Sequence, residues 1–220
     1  MSNHKAWLVD LDGTLYHALP VKAAMCAELL TASSRVRKII RAFRHQHEAL
    51  RLNGSPEMSS PFEVQLEAAA WELGLSDSAV RSVIDEWMFR RPCKWLSLFP
   101  RTSLLREIVQ FRATGGQTAL VSDYPARQKL EALNATNLFD VIIASGEFDG
   151  PSQLKPDPNG FLKAASKLGV AAHQCLVLGD RPDADGLAAA SAGMSFRLIP
   201  GRIAKTAEVA TSANVSAVPS

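Results

Sequence analysis

The sequence has few cysteines, and their arrangement argues against a disulfide framework or a zinc site. Cys26, Cys93 and Cys175 are an odd number, and no two of them are separated by just two residues. A disulfide framework pairs an even number of cysteines, and structural zinc sites commonly use two cysteines separated by two residues. The three thiols are more typical of small buried side chains in a reducing compartment.

The sequence also lacks long apolar runs and a strong net charge. No apolar run reaches the length that spans a membrane, and too few apolar residues precede Asp10 for a signal peptide. The formal net charge is only +2 over 220 residues, which provides no strong field to attract nucleic acid or an anionic membrane. We therefore expect a cytoplasmic protein that binds neither nucleic acid nor a membrane, and the oligomeric state stays open.

Short apolar runs that end abruptly in polar residues are the main structural signal. Continuous hydrophobicity of this kind is typical of strands that are buried on both faces of a parallel sheet. The runs lie at 6–9, 118–121, 141–144, 175–178 and 194–199, and segments with helical spacing separate the later ones. The pattern predicts an α/β fold with a Rossmann-like parallel sheet, in which ligands bind outside the carboxyl ends of the strands.

The segment 17–95 departs from this alternation, because its apolar residues recur only at helical spacing. We predict an all-helical cap domain at 17–95, inserted into a core domain formed by 1–16 and 96–205. An insertion after the first strand lies above the strand ends, where a ligand would bind. The stretch 206–220 is rich in Ala, Ser, Thr and Val without periodicity, so we expect a mobile tail.

The first apolar run ends in the five residues Asp10-Leu11-Asp12-Gly13-Thr14. A turn at Gly13 can bring the two carboxylates to one site. A match to this pattern arises by chance in roughly one window in 10⁵. The pattern therefore favours a catalytic site over a plain turn.

Three further polar positions follow strands or lead into helices, and two of them have an ordinary structural interpretation when taken alone. Ser122 alone is typical of a strand end or helix cap, and Lys155 alone is typical of a surface lysine. Asp180 is a stronger signal, because an acid that ends an apolar run needs a partner such as a metal ion. Only their joint occurrence favours a functional site.

Taken together, these residues resemble the motifs of the haloacid dehalogenase superfamily of hydrolases, over residues 5–199. The matching positions, in the order of the family's four motifs, are Asp10 with Asp12, Ser122, Lys155, and Asp180 with Asp185. Asp183 is the alternative second acid of the last motif, and we prefer Asp185.

The resemblance implies a Mg²⁺-dependent phosphohydrolase that cleaves a small phosphorylated metabolite through an aspartyl phosphate. The implied catalytic residues are Asp10 as nucleophile, Asp12 as general acid and base, Ser122 and Lys155. The implied phosphate-binding residues are Gly13, Thr14, Ser122, Asp123 and Lys155, and the implied metal ligands are Asp10, Asp12, Asp180 and Asp185. Because a general acid at neutral pH needs a pKa above the usual value of about 3.9, we expect neighbouring carboxylates to raise the pKa of Asp12.

Other functions share part of this pattern. A phosphomutase would share every motif, and a non-catalytic phosphate-binding protein could share the fold. A dehalogenase fits less well, because its chemistry needs neither an acid at position 12 nor a metal. Tyr16 and His17, which follow the Asp10 loop most closely, are candidates for substrate contact. In the cap, we interpret the basic residues between Arg41 and Arg51 as a solvated helix face.

Overall fold

The computed structural model describes residues 4–56 and 59–201. Its centre is a five-stranded parallel sheet with the strand order β3-β2-β1-β4-β5. The strands are β1 (Ala6–Val9), β2 (Gln117–Ser122), β3 (Val141–Ala144), β4 (Cys175–Gly179) and β5 (Ser195–Leu198). The five predicted runs match these strands to within one residue at each end, and the Rossmann-like sheet is confirmed.

Helices fill both the long insertion and the connections between the later strands. Between β1 and β2 lie α1 (Ala18–Thr31), α2 (Ser34–Asn53), α3 (Pro61–Leu73), α4 (Asp77–Ile84), a π-helical stretch (Asp85–Arg90), α5 (Arg91–Leu96) and α6 (Thr102–Ala113). The later connections contain α7 (Arg127–Ala132), α8 (Asn159–Leu168), a π-helical turn (Pro182–Gly186) and α9 (Leu187–Ser191). Gly74 and Gly169 follow α3 and α8 and have left-handed backbone conformations, which are common in glycines that terminate helices.

The sheet is buried on both faces, which explains why its strands read as continuous apolar runs. Leu8 and Val177 pack under α8 and α9 on one face, whereas Val9, Leu120 and Leu178 face the opposite core. Successive residues of a strand point to opposite faces, so each of these strands contributes to both cores.

The helices of the insertion have a hydrophobic cluster of their own. Its largest fully buried side chains are Ile39, Phe43, Leu66 and Ile84. The two segments that connect these helices to the sheet lie side by side. Tyr16 forms an isolated bridge with Pro100, and the Arg101 amide donates to the Leu15 carbonyl at 2.8 Å. The helices therefore stand at the carboxyl edge of the sheet.

The exact boundaries of the core and cap stay a prediction, and the predicted mobile tail at 206–220 lies outside the described residues. Among the helices that the structure describes, none has the length and hydropathy to cross a bilayer.

Candidate active site

The carboxyl ends of the central strands bring three predicted residues together. Asp10 follows β1 and its amide donates to the Leu178 carbonyl of β4 at 2.9 Å. Ser122 is the last residue of β2, and Asp180 directly follows β4. Because these strands are parallel neighbours of β1, residues far apart in the sequence meet at one edge.

Three carboxylates converge at this edge. Asp10, Asp180 and Asp185 each offer an oxygen within 4.8 Å of the others. Asp180 Oδ1 is buried and has no hydrogen-bond partner among the described residues. Gly13, with φ 95°, makes room for this carboxylate, since a Cβ there would overlap Asp180 Oδ2.

The electrostatics of the three carboxylates favour a divalent cation. Burial raises the pKa of Asp10, against the opposing charge of Lys155. Burial also raises the pKa of Asp180, and the neighbouring Asp185 adds to it. Carboxylate oxygens are the ligands that Mg²⁺ prefers, and a cation would relieve the crowded negative charge. The cluster and the orphaned Asp180 oxygen therefore fit a hard divalent ion.

Lys155 bridges two of these carboxylates. Its Nζ lies 2.5 Å from Asp10 Oδ1 and 2.7 Å from Asp185 Oδ1, and the residue is only 5% exposed. Burial would lower the pKa of Lys155, but the two aspartates outweigh it and raise the pKa, so the ammonium stays charged. The backbone is held as well, because the Lys155 amide donates to Asp123 Oδ1 and Arg51 Nε donates to the Lys155 carbonyl.

Asp12 turns its side chain away from the carboxylate cluster. Tyr16 donates its hydroxyl to Asp12 Oδ1 at 2.7 Å, and Lys129 Nζ lies 2.7 Å from both carboxylate oxygens. Burial would raise the pKa of Asp12, but Lys129 and then Tyr16 lower it below its usual value. The expectation of a raised pKa is therefore wrong for this structure, because a cation overlooked in the sequence pairs directly with Asp12.

The remaining predicted residues surround Asp10 or the strand ends. Thr14 donates its hydroxyl to Asp10 Oδ2 at 2.9 Å, and Ser122 Oγ accepts from the Tyr124 amide at 3.2 Å. The Asp123 carboxylate is an acceptor and cannot donate to a phosphate, so only its backbone amide could serve. The phosphate-binding roles of Gly13, Thr14, Ser122 and Asp123 stay predictions.

A cleft of about 390 Å³ lies between the sheet edge and the inserted helices. Arg44, His47 and Arg51 of α2 line it, at intervals that place them on one helix face. The interpretation of the basic residues as a solvated face is wrong for His47, which is buried, and for Arg51, whose side chain is only 6% exposed. Arg41 and Arg44 are exposed as expected, although Arg44 also lines the cleft. Helical spacing counted from Arg44 could have revealed this shared face.

A sequence model described as haloacid dehalogenase-like hydrolase matches residues 4–193. The chain belongs to this family of hydrolases. A curated relative, the validoxylamine A 7'-phosphate phosphatase of Streptomyces hygroscopicus subsp. limoneus, is 40% identical over 92 residues. That segment is 41% of this chain and 41% of the relative, so the chain matches less than half of the relative's length.

Solved structures of the same superfamily share the fold of this hydrolase. L-2-haloacid dehalogenase from Xanthobacter autotrophicus superposes with a TM-score of 0.61 at 18% identity, over 89% of this chain and 77% of that one. The HAD-hydrolase YfnB from Bacillus subtilis, bound to magnesium, superposes with a TM-score of 0.60 at 15% identity, over 90% of this chain and 92% of that one. At such identities the likeness establishes the fold alone.

In the fourth motif of this hydrolase, Asp185 rather than Asp183 faces the carboxylate cluster. Asp185 is 1% exposed, and its Oδ2 also accepts from the Arg181 amide at 3.1 Å. Asp183 has a side chain that is 67% exposed, and it pairs with the Arg181 guanidinium at 2.6 Å. Hydrogen bonding to Arg181 lowers the pKa of Asp183, as expected of a surface ion pair.

The different positions of Asp185 and Asp183 predict different effects on Mg²⁺ affinity. Asp185→Asn should weaken Mg²⁺ binding, measured by calorimetric titration, because it removes a charge from the cluster. Asp183→Asn makes the same chemical change outside the cluster and should leave the affinity unaltered. Equal weakening by both variants would contradict the placement of Asp185.

Two buried cations near the site of this hydrolase were not predicted from the sequence. Lys129 pairs with Asp12, and Arg101 donates to the backbone carbonyls of Gly13 and Thr14 at 3.1 and 2.9 Å. Arg101 thereby fixes the loop that carries Asp12. Neither residue belongs to a strand-end motif, so the sequence offered no signal for them.

Proposed function

We propose that this hydrolase cleaves small phosphate monoesters through a covalent phosphoryl group on Asp10, with Mg²⁺ as its cofactor. The observation that carries the proposal is the convergence of Asp10, Asp180 and Asp185 around the orphaned Asp180 oxygen, with a further acid at Asp12. Displacing a halide from carbon requires neither a metal nor an acid two residues after the nucleophile. The phosphatase among the relatives supports the same choice over part of the chain.

Asp10, Asp180, Asp185 and the backbone carbonyl of Asp12 would hold the Mg²⁺. When bound, the ion supplies positive charge that neutralises phosphoryl oxygens as two anions meet.

In the first step, an Asp10 carboxylate oxygen attacks phosphorus and the bond from phosphorus to the ester oxygen breaks. Asp12 gives its proton to the departing oxygen, so the alcohol leaves neutral. Lys155 supplies the ammonium next to Asp10 that stabilises charge on the phosphoryl group. The products of this step are an alcohol and a phosphorylated Asp10.

In the second step, water attacks the same phosphorus while Asp12 removes a water proton. The bond between phosphorus and Asp10 breaks, inorganic phosphate forms and the nucleophile is restored. The lowered pKa of Asp12 keeps it ionised in this structure, which is the form that the second step needs. A phosphate dianion close to Asp12 favours the protonated carboxyl that the first step needs.

The cleft supports a substrate of metabolite size. On the side of the inserted helices it combines apolar residues such as Met25, Ile40 and Trp87 with the cations of Arg44 and Arg51. Apolar walls with a few placed polar groups are typical of small-molecule sites. We propose that the segment 17–95 is the cap that contacts the leaving group. The cytoplasmic location of the protein stays a prediction.

The metal requirement tests this proposal directly. Hydrolysis of p-nitrophenyl phosphate should vanish when EDTA is added and return with excess Mg²⁺, while Ca²⁺ should support it poorly. Ca²⁺ takes more ligands at longer distances, whereas Mg²⁺ holds an octahedron at about 2.0 to 2.1 Å. Full activity in EDTA, or equal activity with both ions, would refute the role given to the carboxylate cluster.

A further inference from the structure

Lys129 is a buried cation aimed at Asp12 rather than at solvent. It is the third residue of α7 and only 5% exposed, and its Nζ lies 2.7 Å from each oxygen of the Asp12 carboxylate. The two residues are 117 positions apart, so the fold alone brings them together. Burying a lysine is costly unless its charge is paired, and here the Asp12 carboxylate provides the pair.

Two aromatic rings surround the same ammonium. Its Nζ lies 5.6 Å from the ring centre of Phe89, in the inserted helices, and 5.7 Å from that of Tyr124, which follows β2. Cations within about 6 Å of an aromatic face are attracted to it. These contacts limit where the Lys129 ammonium can lie.

The helix that carries Lys129 is itself anchored. Glu147 Oε1 accepts hydrogen bonds from the amides of Ala126 and Arg127, at 2.7 and 2.9 Å, where α7 begins. Glu147 therefore fixes α7 next to the end of β3, and Lys129 extends from α7 to Asp12. On the other side, Tyr16 holds Asp12 Oδ1.

We propose that Lys129 is a positioning residue that holds the Asp12 carboxylate in the orientation needed for both proton transfers. The proposal rests on the proposed function, because it assigns Asp12 the acid and base roles. A carboxylate that accepts from Lys129 and Tyr16 has little rotational freedom. Proton transfer depends on geometry, and a displacement of about 1 Å can cost about 10²-fold in rate. Lys129 is one of the residues lining the cleft, so direct contact with substrate is the competing role.

The test compares Lys129→Met with Asp12→Asn in single-turnover experiments with two esters. Lys129→Met should slow hydrolysis of an alkyl phosphate by about 10²-fold. It should change phosphoryl transfer from p-nitrophenyl phosphate far less, because nitrophenolate leaves without a proton. A phosphorylated Asp10 should persist in the variant, as it should in Asp12→Asn. Lys163→Met is the matched control, since Lys163 pairs with Asp149 away from Asp12.

The double variant separates positioning from a general structural role. Adding Lys129→Met to Asp12→Asn should change the alkyl phosphate rate by no more than about twofold, since Lys129 then has no acid or base to orient. Lys129→Met should lower the melting temperature by leaving the half-buried Asp12 carboxylate without a cation, and the double variant should recover part of that loss.

The possible outcomes decide between the roles. Independent losses in the double variant, or equal slowing of both esters, would overturn the proposal and indicate a structural role. A higher KM for both esters at unchanged kcat would overturn it in favour of substrate binding. If wild-type protein hydrolyses neither ester with Mg²⁺, the proposed function fails instead. In that case, recovery of the melting temperature in the double variant would show that the ion pair stabilises the fold.

Discussion

Asp10→Asn should retain the fold and lose turnover of p-nitrophenyl phosphate by about 10⁴-fold or more, as expected when a catalytic nucleophile is removed. The amide keeps the shape of the side chain but attacks phosphorus poorly, and it removes one charge from the carboxylate cluster. Lys155 keeps Asp185 as a charged partner, so no buried cation is left unpaired. Purified variant and wild type should be compared at saturating Mg²⁺.

Without Mg²⁺, the melting temperature of Asp10→Asn should not fall below that of the wild type. Because burial raises the pKa of Asp10, its charged form is destabilised in the fold, and without Mg²⁺ the neutral amide should melt at the same temperature as the wild type or higher. Asp183→Asn is the control, since it makes the same change at an exposed acid near the site and should retain activity. Activity close to wild type in Asp10→Asn would rule out Asp10 as the nucleophile.

Asp12→Asn should slow an alkyl phosphate far more than p-nitrophenyl phosphate. Help from a general acid is worth about 10² to 10⁴-fold in rate, and only the ester with the poor leaving group needs it in the first step. Single-turnover rates are the ones to compare, because opening of the cleft could limit steady-state turnover.

A structural role for Asp12 would give a different pattern. Its carboxylate pairs with Lys129 and Tyr16, so the variant could disturb that ion pair without any effect on proton transfer. In that case both esters would slow by the same factor. A melting curve would show whether Asp12→Asn destabilises the fold. Tyr16→Phe is the matched control, because it removes one hydrogen bond to Asp12 and keeps the carboxyl group.

Much of the fold follows from local pattern. The strands of a parallel sheet are buried on both faces, so they appear in the sequence as apolar runs such as 175–178, and a polar residue marks where each run ends. Asp10 and Asp180 could be predicted for the same reason, since parallel neighbours end at one edge. The end of α2 at Asn53 follows from the Gly54 and Pro56 that come after it.

The residues that sequence reasoning missed depend on contacts between distant segments. Lys129 lies on a short helix with no motif, and its burial against Asp12 becomes visible only when α7 and the loop after β1 are placed together. That single contact reverses the expected shift in the pKa of Asp12, because the expectation rested on the neighbouring carboxylates and did not include Lys129. The sequence predicted a solvated Arg51, but in the fold its Nε donates a hydrogen bond to the Lys155 carbonyl.

Nucleophilic catalysis by Asp10 is tested most directly by the mass of the Asp10 peptide after a rapid acid quench. Asp12→Asn is mixed with p-nitrophenyl phosphate and Mg²⁺, quenched within one turnover and digested with a protease. One added phosphoryl group is expected on the peptide that contains Asp10, and none is expected in Asp10→Asn. Release of nitrophenol without any phosphorylated peptide, or phosphorylation at another residue, would contradict nucleophilic catalysis by Asp10.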